Sequence, residues 1–305
     1  MPMVPTENPQ SRPRVRELIF LGTGTSGSVP NIPCVTGNNP RCKVCKLSMT
    51  DAGRKNRRLN TSLLVRVGYP DGRVRNILID CGKTFYESAR DEFTKHNIHT
   101  IDAVLLTHGH ADAMFGLDDL RSWTVAQKSS IPIFCDSETL QTVSLTFPYL
   151  VDTRKATGSG EVPSLTFNVI EEPFRAFDCL GLEIQPLRVE HGTYSDGRLF
   201  FFTGFRFAGV SYMSDCSRIP EQTRPLIAGS RIIVLDALKW TSHMSHFGYW
   251  QALDEVRHFR PERAIFTGFC HSIEHSEMEE QARKIKAEED LVVDPAYDGM
   301  VVSLT

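Results

Sequence analysis

No apolar run in the sequence approaches the roughly 18 residues needed to cross a bilayer, which excludes a membrane-spanning helix. An excess of charge is also missing. Lys and Arg total 34 against 37 Asp and Glu, and a net charge of −3 argues against a broad nucleic-acid-binding surface. The opening stretch MPMVPTENPQSRPRV holds four prolines and no apolar segment of the secretory kind. It predicts a disordered tail over residues 1–14. No internal repeat, low-complexity segment or clear linker divides the remainder, so residues 15–305 are expected to form a single domain. The eight cysteines come without an export signal, so reduced thiols or metal ligands are expected rather than disulfides, in a cytoplasmic protein.

What is present is an alternation of strand and helix signals. VRELIFLG, NTSLLVRVG and VRNILID read as strands, the last two joined by a turn around Asp71-Gly72. Gly22, Gly24 and Gly27 match G-x-G-x-x-G, but Pro30 and Pro33 forbid the helix that a dinucleotide site requires. A helix over about Thr84 to His96 leads to the strand IDAVLLT, which runs into THGHADAMFG. Met114, Leu117, Leu120 and Val125 follow at roughly helical spacing. Later strands are expected at LEIQPLRVE, LFFFTGFRF, GVSYMSD, RIIVLDAL and RAIFTGF. Helices are expected over Pro220–Ala228, Phe247–His258 and Glu274–Glu288. The expected architecture is two sheets packed inside with helices outside.

His108, His110 and Asp112 stand close enough in sequence to serve one tight loop, and imidazole and carboxylate are good zinc ligands. Further donors fall at strand ends: His191, Asp215, His243 and His246. In the loop NIPCVTGNNPRCKVCK, Cys42 and Cys45 form Cys-x2-Cys with Cys34 upstream, a zinc knuckle or alternatively a redox pair. Arg57 and Arg58 are candidates for a bidentate phosphate contact, with a solvated basic loop as the alternative. Arg121 is another such candidate, with a salt bridge to Asp118 as its alternative.

The ordered set LGTGTSGSVP, ILIDCG, LLTHGHADAMFGLDDLR, HG, YMSDCSRIP, SHFGYWQAL and YDGM resembles the metallo-β-lactamase superfamily. It is most similar to the branch holding the phosphoribosyl cyclic phosphodiesterase of phosphonate breakdown and the tRNA 3′-processing endonuclease. The resemblance implies an α/β fold, a four-layer αββα sandwich. It implies a first catalytic metal on His108, His110 and His191, a bridging Asp215, and Asp112 as a second-metal ligand. Two second-metal histidines of the family are replaced, by Ala113 and Gly268. One tightly held Zn2+, with Mn2+ as the alternative ion, is therefore expected. The resemblance makes His246 the first candidate for proton donor, against a helix-cap reading, with His243 second; Lys239 stands where relatives have another histidine. It also implies a structural zinc on Cys34, Cys42, Cys45 and His271, with Cys270 as the substitute fourth ligand. The implied activity is phosphodiester hydrolysis of a small cyclic nucleotide or sugar phosphate through a metal-bound hydroxide, in a homodimer. Hydrolysis of another ester or thioester, and non-catalytic binding of a phosphate ligand, are the alternatives.

Overall fold

A computed structural model describes residues 12–37, 42–158 and 160–304. The tail expected over residues 1–14 lies outside the described residues as far as residue 11, and Arg14 already opens the first strand. In chain order the strands are β1 (Arg14–Gly22), β2 (Ser62–Gly68), β3 (Val74–Ile79), β4 (Ala103–Leu105), β5 (Ile131–Cys135), β6 (Leu165–Val169) and β7 (Phe177–Cys179). There follow β8 (Leu182–Thr193), β9 (Leu199–Phe207), β10 (Val210–Met213), β11 (Ile232–Asp236), β12 (Arg263–Thr267), β13 (Val293–Pro295) and β14 (Val301–Ser303). They make two seven-stranded sheets, ordered β14-β1-β2-β3-β4-β5-β6 and β13-β12-β11-β10-β9-β8-β7. The longer helices are α1 (Phe85–His96), α2 (Ser137–Thr146), α3 (Tyr249–Phe259) and α4 (His275–Glu289).

The period-2 pattern of the strands explains the layering. Leu18, Phe20, Leu63, Val65, Ile77 and Leu105 of the first sheet share one core with Phe205, Tyr212, Val234 and Ile265 of the second. The intervening residues face the other way. Ile19, Leu64, Leu78 and Val104 pack with Phe85 and Phe93 of α1. Ile233, Leu235 and Phe266 pack with Tyr249, Leu253, Met278 and Ile285 of α3 and α4. Three apolar layers between four layers of structure give the αββα sandwich. Each fully buried Leu or Ile contributes about 1.5–3 kcal/mol to holding it.

Strands β3 to β6 run parallel, as do β10 to β13, and this gathers their carboxyl ends. Asp80, His108, Asp215, Asp236 and Gly268 all lie at or just beyond such ends. The glycine loop serves close approach rather than a cofactor. A Cβ on Gly22 would fall 2.0 Å from the Asn60 carbonyl oxygen, and one on Gly24 would fall 2.7 Å from Arg58 Cβ. The helix expected over Pro220–Ala228 is only Arg224–Ile227, and the stretch after the histidine motif breaks into three short helical pieces. β5, β6, β7, β13, β14 and α2 are elements beyond those the sequence signals predict.

Candidate metal centre and active site

His108 and His110 leave the end of β4, and His191 comes from the end of β8 in the opposite sheet. Their ring centroids lie 4.6, 5.3 and 5.3 Å apart, and one donor atom from each lies within 4.8 Å of the others. Their orientation is fixed from behind. The Thr107 hydroxyl donates to the buried Asp80 carboxylate at 2.7 and 2.9 Å, so its oxygen can only accept from His108 Nδ1, 2.9 Å away. That puts the proton on Nδ1 of His108 and the lone pair on Nε2. The carbonyl of Ser245 likewise accepts from His191 Nδ1 at 2.7 Å.

His108 Nε2 is buried without any hydrogen-bond partner, a costly state for a polar atom. Burial pushes the His108 pKa well below its ordinary value and that of His191 down to about 4, keeping both neutral, the ligating form. An orphaned buried nitrogen inside three neutral imidazoles fits a bound transition-metal ion. His110 is exposed and gives the cluster an open side.

The neighbouring half is built differently. Asp215 falls in a second donor group with His191 and His246, again within 4.8 Å of one another. Burial would raise the Asp215 pKa, but His191, His246, His108 and His110 outweigh it and hold the carboxyl below its usual range. Asp112, expected on a second metal, joins neither group; it is buried, and burial followed by the Asp215 charge raises its pKa to about 6. Ala113 is buried. At Gly268, φ is +77°, and a Cβ there would fall 2.5 Å from Asp236 Oδ1. The Asp236 carboxylate thus fills the place from which a side chain at 268 would leave.

Asp236 is fully buried and accepts from His246 Nδ1 at 2.8 Å. Burial alone would lower the His246 pKa, but Asp236 and Asp215 overcome it and raise it to about 9. His246 is not a helix cap: α3 begins at Tyr249, behind Gly248, whose N–H is met by the Gln251 side chain. His243 is exposed at the rim, its Nδ1 accepting from Ser245 N at 3.3 Å.

Cys34, Cys42, Cys45 and His271 come together as a four-donor group within 4.8 Å. His271 Nδ1 lies 3.4 Å from Cys34 Sγ and 3.5 Å from Cys42 Sγ. Burial, with the adjacent thiol of Cys42, pushes the Cys45 pKa up to about 12, so a thiolate there requires a cation's charge. All eight cysteines are free thiols, and Cys81, Cys135, Cys179 and Cys216 lie in the core as expected.

The arginines go elsewhere. Arg58 is 0% exposed, donates to the Cys270 carbonyl at 2.8 Å and to Asn56 Oδ1 at 3.2 Å, and lies over the Phe269 ring. It is walled in, so it bridges loops instead of meeting a substrate. Arg57 pairs on the surface with Glu87 and Asp91, and Arg121 with Asp118. Sequence reading missed Asp80, Thr107 and Asp236. Their signal is faint, a polar residue closing an apolar strand, and only packing assigns each its histidine.

The model of the β-lactamase superfamily domain matches residues 75–269. The chain belongs to the metallo-β-lactamase superfamily, a family of hydrolases. Among solved structures it is similar to a diphosphatase of the PhnP family, at 26% identity and a TM-score of 0.74, over 95% of this chain and 98% of that one. Zn(2+)-bound PqqB of Methylobacterium extorquens shares the fold, at 19% identity and a TM-score of 0.70, over 94% and 100%. So does the short form of human tRNase Z, at 16% and 0.55, over 95% and 99%. An octanoyltransferase of Porphyromonas gingivalis is 28% identical over 261 residues, 85% of this chain. The chain spans about half of that protein's length, 47%. Among the described residues no helix is long and apolar enough to cross a membrane.

Proposed function

We propose that the protein hydrolyses a small phosphodiester, a cyclic nucleotide or sugar phosphate, at a centre holding one tight metal ion on His108, His110 and His191. The observation that carries this reading is the open three-imidazole cluster with His246 beside it, its ring centroid 4.8 Å from that of His191. A bound zinc or manganese supplies Lewis-acid polarisation of the phosphoryl oxygen and a nucleophile at neutral pH. Asp80, through Thr107, fixes the tautomer of His108, and the Ser245 carbonyl fixes that of His191. Asp236 holds a proton on His246 and engages Nδ1, which leaves Nε2 to protonate the leaving oxygen. Asp215 serves as the remaining ligand. Cys34, Cys42, Cys45 and His271 hold a structural zinc that clamps the entrance loop to the segment after β12. The likeness to a PhnP-family diphosphatase supports phosphorus chemistry.

The test is hydrolysis of bis(p-nitrophenyl) phosphate by wild type and His110→Ala. Wild-type turnover that falls at least about a hundredfold in the variant is expected, since even outer-shell changes at metal sites cost 10–100-fold. Equal rates would sink the reading. A second reading, hydrolysis of an acyl ester or thioester, is favoured by the match to an octanoyltransferase. Turnover of p-nitrophenyl octanoate but not of the phosphodiester would establish it instead.

A further inference from the structure

Beside His110 a cavity of about 180 Å³ opens between the tip of the β8–β9 hairpin and the start of α2. Gly109, His110, Glu138, Thr142, Tyr194 and Phe200 line its working surface. The Phe200 ring stacks on His110 at 4.8 Å and 29°, and Tyr194 meets Phe200 edge-on at 5.3 Å. One cavity wall is therefore aromatic and continuous with a candidate metal ligand. Its two carboxylates, Asp136 and Glu138, are acceptors. Glu138 Oε1 takes the Tyr194 hydroxyl, which leaves Oε2 for a ligand. Asp136 is already used, by Thr139 N at 2.7 Å and the Thr203 hydroxyl at 3.4 Å.

Among the described residues no Lys or Arg lines this cavity, and the one guanidinium beside it, Arg198, lies over the Tyr194 ring, so the cavity offers a phosphate no direct cationic contact. Ligand pockets for whole drug-sized molecules run to roughly 300–1,000 Å³, so this one has room for a single ring-sized group. A planar ring carrying N–H donors satisfies every wall: it stacks on Phe200 and donates to Glu138. We infer that this cavity is the subsite for a nucleobase, with the phosphate of the same molecule at the histidine cluster. The inference rests on the phosphodiester reading and narrows it from sugar phosphates to nucleotides.

Calorimetric binding of adenosine 5′-monophosphate, ribose 5-phosphate and adenosine to the zinc-loaded full chain tests it. The nucleotide is expected to bind at least about tenfold tighter than ribose 5-phosphate, within the range of base–aromatic stacking. Glu138→Gln, Tyr194→Phe and Phe200→Ala should each draw that ratio towards one. Equal binding of the nucleotide and the sugar phosphate by wild type overturns the subsite and leaves the phosphodiester reading standing. Adenosine binding as tightly as the nucleotide keeps the subsite and removes the phosphate from the reading. Failure of all three ligands to bind overturns both.

Discussion

The two donor clusters differ in the way that closed and open metal sites differ. The thiol cluster offers four donors, Cys34, Cys42, Cys45 and His271, and so can complete a tetrahedron by itself. The histidine cluster offers three, with exposed His110 at its mouth. Three residues, Gly268, Phe269 and Cys270, separate Thr267 at the end of β12 from His271. Within that link Gly268 presents nothing to the active site, while His271 is aimed at the thiols. The segment carries a metal-type donor at its thiol end, His271, and none at its histidine end, Gly268.

Cys45→Ser gives the largest effect expected on stability. Cys45 is fully buried, and losing a structural metal ligand should cost about 4 kcal/mol or more, read as a fall in the denaturant midpoint together with loss of zinc. His110→Ala should do the reverse, abolishing turnover while leaving the melting temperature close to wild type because His110 is exposed. If the two variants behaved alike, the division into structural and catalytic centres would fail.

Gly268→His asks whether the lost ligand can be put back. The +77° φ and the Asp236 oxygen 2.5 Å from a Cβ predict destabilisation of about 2 kcal/mol. Metal content by mass spectrometry should stay at the wild-type value. A gain of one ion per chain would show the second half-site is merely vacant and not rebuilt. Thr107→Val cuts the link from Asp80 to His108 without touching a ligand, and should weaken the catalytic metal about tenfold while sparing the thiol-bound zinc.

The smallest effect lies on the thiol side, four residues past His271. His275 is buried, and burial lowers its pKa to about 4 although the nearby Glu279 opposes this. Between about pH 6.5 and 4 the unfolded chain binds a proton that the native chain does not, so stability falls as the pH falls through that window. His275→Gln should remove on the order of 1 kcal/mol per pH unit from that slope in urea melts. An unchanged slope would assign the acid sensitivity to other groups.

The sequence determined the elements whose signals are local. Strand alternation gave two inner sheets, the Asp71-Gly72 turn closed the β2–β3 hairpin with Gly72 at φ +85°, and His108 and His110 stand beyond β4 as their position predicts. Strands β6 and β7 are not legible because they lie at sheet edges with mostly half-buried or exposed residues, so no continuous apolar run marks them as it marks the comparably short β11 and β12. Arg57 and Arg58 offer a phosphate contact or a solvated basic loop as far as the sequence goes, because an arginine's chemistry is local, and Arg57 takes the second course. The destination of the side chain is not local, and Arg58 ends against a carbonyl 212 positions away. Tertiary structure alone decided that Asp236 occupies the space a residue at 268 would need, that Thr107 relays Asp80 to His108, and that Phe200 floors a cavity beside His110. Each depends on a distance between strand ends or loops far apart in sequence, which no local pattern encodes and the packing of two sheets fixes.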